Sequence, residues 1–117
     1  MKLIEILEAL DAKLLSGEGQ LDKEFLTGGA SDLMSDILAG VAEDSVFLTG
    51  LNTIQAIRTA VVSGVGAIVF VRNKIPPQDL IEMAEEENIP LLSSPYSMFV
   101  SCGRLHGKGL TGLDGTR

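Results

Sequence analysis

Arg72, Asn73 and Lys74 follow directly on the apolar run Ala67-Ile68-Val69-Phe70-Val71, and they concentrate positive charge in a chain whose formal net charge is −7. A guanidinium and an ammonium this close together attract carboxylates or phosphoryl groups. Polar and glycine residues also gather after the other β-rich runs: Thr27, Gly28, Gly29 and Ser31; Thr49, Gly50, Asn52 and Thr53; Ser93 and Ser94. Parallel α/β sheets bind ligands outside the carboxyl ends of their strands, where helix N-termini present free amides to anions. These residues form the candidate ligand-binding set. Ordinary βα loops use the same residue types for caps and turns, so plain turn chemistry stays open beside it.

Other chemistry is sparse. Cys102 and His106 are four residues apart and can face each other on a helix, but a catalytic pair also needs an orienting group and an oxyanion site. Cys102 lies on an apolar stripe and reads as a core thiol. His106 is the only histidine, so a multi-histidine metal site is excluded, and neither metal nor cofactor is expected. Asp32 and Asp36 share a helix face and read as solvated. Gly107-Lys108 invites comparison with a phosphate-binding loop, but Cys102 and Gly109 fill the first and last positions of that motif. No catalytic constellation is present.

The elements that must position the polar set follow from periodicity. Val46–Thr49, Ala67–Val71 and Ile89–Leu92 are short apolar runs separated by helical stretches from Thr53 to Ser63 and from Pro77 to Glu87. That alternation implies βαβ units. The fold expected is α/β, a three-layer α/β/α sandwich with a mostly parallel sheet. Val46, Leu48, Ile54, Ile57, Val61, Ile68, Phe70, Leu80, Met83, Ala84 and Leu91 are its expected core. Leu3, Ile6, Leu7 and Leu10 stripe an N-terminal helix, and Ala12–Leu15 reads as a short strand. Phe25–Thr27 runs into the Gly28-Gly29 pair, and Ser31 caps a helix that ends at Gly40. Asn52 is expected to cap the next helix with Gln55. Pro77 opens the third, and Asn88 ends it in left-handed conformation. Ser94 is expected to cap the last helix, with Pro95 as its first residue.

The run Ser97-Met98-Phe99-Val100-Ser101-Cys102 is more apolar than one helix face requires. Met98, Phe99 and Val100 are therefore the candidate interface residues. Residues 1–110 are expected to form one domain, and 111–117 a flexible glycine-rich tail. The whole of Gly107–Arg117 is expected to be mobile, so that deleting Gly112–Arg117 barely changes the melting temperature.

Composition narrows the partners. Hydrophobic residues make up 45% and charged residues 21%, ordinary for a globular chain. The net charge opposes binding to nucleic acid. One cysteine allows no internal disulfide. With no signal peptide and no apolar run of spanning length, the expected place is the cytoplasm, away from membranes.

Several segments together resemble the DRTGG domain family and the related N-terminal domain of HPr kinase/phosphorylase. They are Leu48-Thr49-Gly50 before a helix, Gly64-Val65-Gly66-Ala67-Ile68-Val69, and Ala84-Glu85-Glu86-Glu87-Asn88-Ile89-Pro90-Leu91-Leu92. Ser94-Pro95-Tyr96-Ser97-Met98-Phe99 and Gly103-Arg104-Leu105 complete the set. Where family members often show Gly-Asp-Arg after the first strand, this chain has Gly50-Leu51-Asn52. The resemblance implies a domain that is not itself catalytic. Such domains occur fused to kinase, acetyltransferase or CBS modules as a regulatory or dimerising part, in some cases beside adenine-nucleotide sites. Here the domain is expected to stand alone, without the kinase domain.

The function expected is therefore a non-catalytic regulatory or interaction module, homodimeric, that senses a small anionic metabolite or adenine nucleotide or meets a protein partner. Two alternatives stay open. Gly50-Leu51-Asn52-Thr53-Ile54 and Glu87-Asn88-Ile89-Pro90 resemble the ribosomal kink-turn-binding family, which implies RNA binding. A small enzyme using Asp32, Ser31 or Cys102 is the other.

Overall fold

The computed structural model describes residues 1–33, 35 and 44–112. Strand β3 (Ser45–Thr49) is buried at all five positions, which requires cover on both faces of the sheet. Val46 and Leu48 point to one face and Phe47 to the other, as the two-residue period of a strand demands. The same alternation runs through β4 (Ala67–Phe70) and β5 (Leu91–Ser93). One layer is built by α1 (Leu3–Ala9) and α4 (Met98–Gly107), which supply Leu3, Ile6, Ala9 and Leu105. The opposite layer is built by α2 (Ile54–Ser63) and α3 (Gln78–Glu86), which supply Ile57, Ala60, Leu80 and Ala84. The result is the three-layer α/β/α sandwich that the periodicity implies.

With β1 (Lys13–Ser16), β2 (Thr27–Ala30) and β6 (Thr111–Gly112), the strands form a six-stranded sheet in the order β1-β5-β4-β3-β2-β6. All neighbours are parallel except β1, which runs antiparallel to β5. The β1–β5 register slips between Leu14 and Ser16. Buried Ser16 repairs the slip: its hydroxyl donates to the Ile89 carbonyl at 3.0 Å and accepts from the Leu91 amide at 3.1 Å. Both backbone groups would otherwise be buried without partners, at a cost of about 1–3 kcal/mol each.

Several expectations need correction. Thr53, not Asn52, caps α2, and its hydroxyl accepts from the Ala56 amide at 3.3 Å. The Asn52 amide donates instead to the Ile75 carbonyl. Ala56, Ile57 and Ala60 form the buried stripe of α2, so Ile54 is 38% exposed and Val61 only half-buried. The two alanines let the helix lie close to the sheet, and that contact fixes which face turns inward. Met83 is also only half-buried, and Pro77 is the N-cap of α3 rather than its first residue. Asn88 is left-handed (φ +58°), and the Ile89 amide closes back on the Ala84 carbonyl at 2.9 Å, the closure its position in the sequence implies.

Ser97, not Ser94, caps α4, accepting from the Val100 amide at 3.2 Å. Ser94 is drawn into the core by its bond to the Leu10 carbonyl, at 2.8 Å. Gly28 and Gly29 lie within β2 rather than beyond a strand, paired with Val46 and Phe47. A β-carbon on Gly28 would come within 2.8 Å of Leu110 Cδ2, so glycine is what lets Leu110 seat against the sheet. Residues 107–112 are accordingly placed: Gly107 ends α4, Leu110 is buried, and Thr111-Gly112 pair with Thr27-Gly28. The expected helix after Ser31, through Ile37 and Leu38 to Gly40, and the tail at 113–117 lie outside the described residues.

Leu110→Ala should lower stability by about 2–4 kcal/mol, measured by urea unfolding, because it empties a buried site that Gly28 cannot refill. A change under about 0.5 kcal/mol would mean that this stretch is not docked.

Candidate functional site

The parallel pairing of β2, β3, β4 and β5 brings their carboxyl ends to one edge of the sheet. Beyond β3, the Gly50 amide donates to Asp32 Oδ1 at 2.6 Å, and the Thr49 hydroxyl donates to the same oxygen at 3.2 Å. Thr49 Oγ1 also accepts from the Leu51 amide at 3.1 Å. Beyond β4, the Arg72 guanidinium reaches Asp32 Oδ2 at 3.9 Å. Both side chains stay about half exposed, so water screens this pair and its contribution to stability is small.

The backbone of the β4–α3 loop explains where Arg72 points. Arg72 and Asn73 are both left-handed, at φ +57° and +59°. That conformation costs a residue with a β-carbon on the order of 1–3 kcal/mol. Two bonds to the β5–α4 loop hold it: the Arg72 amide donates to the Tyr96 carbonyl and the Asn73 amide to the Ser94 carbonyl, each at 2.8 Å. The guanidinium then lies across Gly50, where a β-carbon would collide with Nη2. A side chain at position 50 would push the guanidinium, the free end of a flexible and half-exposed side chain, aside.

Of the expected ligand-binding residues, Thr49, Gly50 and Arg72 converge. Ser31 stands beside them, its amide donating to the Leu48 carbonyl at 3.1 Å and its hydroxyl accepting from the Leu33 amide at 3.0 Å. Lys74 is exposed on the same loop, and its carbonyl accepts from the Ser93 hydroxyl at 2.8 Å. Asn52 and Thr53 are engaged in backbone bonds, Ser93 and Ser94 are buried, and Gly28 and Gly29 belong to β2. Asp32, read from the sequence as a solvated carboxylate and left out of the ligand-binding set, sits at the centre. Its place directly after Ser31, at the end of a strand, was the available signal.

A second cluster flanks this edge. The Tyr96 hydroxyl donates to Asp11, the Arg104 guanidinium stacks over the Tyr96 ring at 4.3 Å, and Arg104 Nη1 donates to the Ala9 carbonyl at 3.3 Å. The bond to Asp11, followed by desolvation, raises the Tyr96 pKa above the usual 10.0, with Arg104 opposing.

A hollow of about 140 Å³ lies on the other side of β2, lined by Gly28, Ala30, Leu48, Cys102, His106 and Leu110 among others. Burial pushes the Cys102 thiol up, away from the thiolate that a nucleophile requires. Met98 packs against the core, whereas Phe99 is 88% exposed and Val100 40%. Among the described residues no group of three or more His, Cys, Asp or Glu could hold a metal ion, and no helix is long and apolar enough to cross a membrane.

Fold and edge together define a three-layer α/β domain whose polar groups collect at the carboxyl ends of parallel strands. Residues 5–107 match the DRTGG domain model, and the chain belongs to that family. Its fold is similar to the crystal structure of the CBS and DRTGG domains of the regulatory region of Clostridium perfringens pyrophosphatase, complexed with the activator diadenosine tetraphosphate. The TM-score is 0.73 at 18% identity, over 94% of this chain and 47% of that one. The chain thus spans about half the length of the structure it matches. No curated protein matches it.

The chain has one tyrosine and no tryptophan, so ultraviolet absorbance titrates Tyr96 alone. The midpoint should lie above 10.0, because the neutral phenol is the form that donates to Asp11. This contact is fully present below 10.0 and is lost as pH rises through the raised value. Asp11→Asn should bring the midpoint back down; an unchanged midpoint would show that the contact does not form.

Proposed function

We propose that the chain is a non-catalytic regulatory or interaction module, working in the cytoplasm as a homodimer, that binds a small anionic ligand such as an adenine nucleotide at the carboxyl edge of its sheet. The observation that carries this reading is the convergence of Thr49, Gly50 and Arg72, with Lys74 nearby, at the ends of parallel strands in a chain of net charge −7. Exposed positive charge at this edge provides the attraction an anion needs. The family and the nucleotide complex of the similar regulatory region support the choice of ligand class.

The catalytic alternative has little to stand on, since the one thiol is held protonated by burial and Asp32 is engaged by two donors. The dimer is supported by the exposed apolar pair Phe99-Val100 at the start of α4, adjoining a core-packed Met98. A large exposed aromatic beside a polar rim is a typical interface anchor.

Saturating ATP or diadenosine tetraphosphate should raise the melting temperature, by the equivalent of about 2.7 kcal/mol at a hundredfold excess over Kd. No shift with any nucleotide or small anion would remove the ligand reading. Light scattering should give twice the chain mass for the wild type and the single-chain mass for Phe99→Glu, with the circular dichroism of the two alike. A wild type that is monomeric, or a Phe99→Glu variant that remains dimeric, would remove this helix as the interface.

A further inference from the structure

We infer that the Asp32 carboxylate is a resident anion in a subsite built for one phosphoryl group, and that a phosphorylated ligand binds by displacing it. This rests on the reading of the carboxyl edge as an anion site. Around Asp32, the Gly50 amide at 2.6 Å and the Thr49 hydroxyl at 3.2 Å donate hydrogen bonds, and the Arg72 guanidinium stands at 3.9 Å as an ion-pair neighbour. An amide, a hydroxyl and a guanidinium converging on one negative group are the donor types that take a phosphoryl oxygen set.

Two features set this arrangement apart from an ordinary loop contact. A β-carbon on Gly50 would meet Arg72 Nη2 and come within 3.3 Å of Asp32 Oδ1, so the guanidinium and the carboxylate both lie over the Gly50 backbone. The Arg72 side chain is aimed there by two successive left-handed residues, a strained backbone anchored by the Tyr96 and Ser94 carbonyls. The occupant is held by two hydrogen bonds through one oxygen, while its other oxygen meets only the distant guanidinium. Asp32 is 44% exposed, and its separation from Arg72 is close to the limit for an ion pair. A dianionic phosphoryl group brings more charge and more acceptor oxygens to the same donors than one carboxylate does. The exchange leaves Asp32 free to enter water.

The experiment compares ATP binding by calorimetry to the wild type, Asp32→Asn and Arg72→Ala, with the ligand-free melting temperature of each as a check on folding. Asp32→Asn keeps the side-chain shape but removes the competing charge, so ATP should bind it about five- to tenfold more tightly, a gain that shrinks at high salt. Arg72→Ala should lose at least tenfold. A wild type without measurable binding beside an Asp32→Asn variant that binds would also bear the displacement out. If the wild type binds ATP and Asp32→Asn binds it equally or more weakly, displacement is wrong while the nucleotide reading stands. If neither protein binds ATP or inorganic phosphate, both fall. A purely structural Asp32 would lower the melting temperature on substitution and leave the affinity ratio at one.

Discussion

Strands β3, β4 and β5 are apolar on both faces, and this constraint governs the rest of the molecule. A strand such as Ser45–Thr49, buried at every position, cannot lie at a surface. It has to be sandwiched, and the chain has to leave one end of the sheet and return to the other between successive strands. Parallel pairing follows, with a helix in each return. Parallel pairing in turn places the carboxyl ends of β2, β3, β4 and β5 on one edge. The polar cluster of Thr49, Gly50, Arg72 and Asp32 is therefore a by-product of how the core is buried.

The margins of the sheet show how the same demand is met where regularity fails. At one margin β1 pairs antiparallel with β5 through a register slip, and Ser16 substitutes its hydroxyl for the missing ladder partners. Toward the other, beside the two-residue edge strand β6, β2 consists largely of Gly28 and Gly29, which bring no side chains, and Leu110 fills the space above Gly28. In both places the chain supplies from a distant segment what the strand lacks. Ser16 and Ile89 are 73 residues apart, so these repairs depend on the finished fold.

At the carboxyl edge, backbone strain and side-chain charge act together. The left-handed pair Arg72-Asn73 would be unfavourable in isolation, yet the carbonyls of Tyr96 and Ser94 hold it. Tyr96 is itself tied to Asp11 and covered by Arg104. A chain of contacts thus runs from the end of α1 through the β5–α4 loop to the Arg72 guanidinium. Such a chain positions one exposed cation without burying its charge.

The residues by themselves determined the βαβ alternation, the burial of Val46, Leu48, Ile68, Phe70 and Leu91 in its strands, and the left-handed stop at Asn88. These are local properties, set by the periods of strand and helix and by the backbone freedom of single residues. The polar edge was legible as a set for the same reason, since strand ends can be read from the pattern. Its centre was not. Asp32 meets Gly50 across 18 residues of chain, and only the adjacency of β2 and β3 makes them neighbours. The caps at Thr53 and Ser97, the exposure of Ile54, and the inward Met98 beside the outward Phe99 were likewise decided by tertiary structure. In each case several residues satisfied the local rule equally well, and packing against a distant element selected among them.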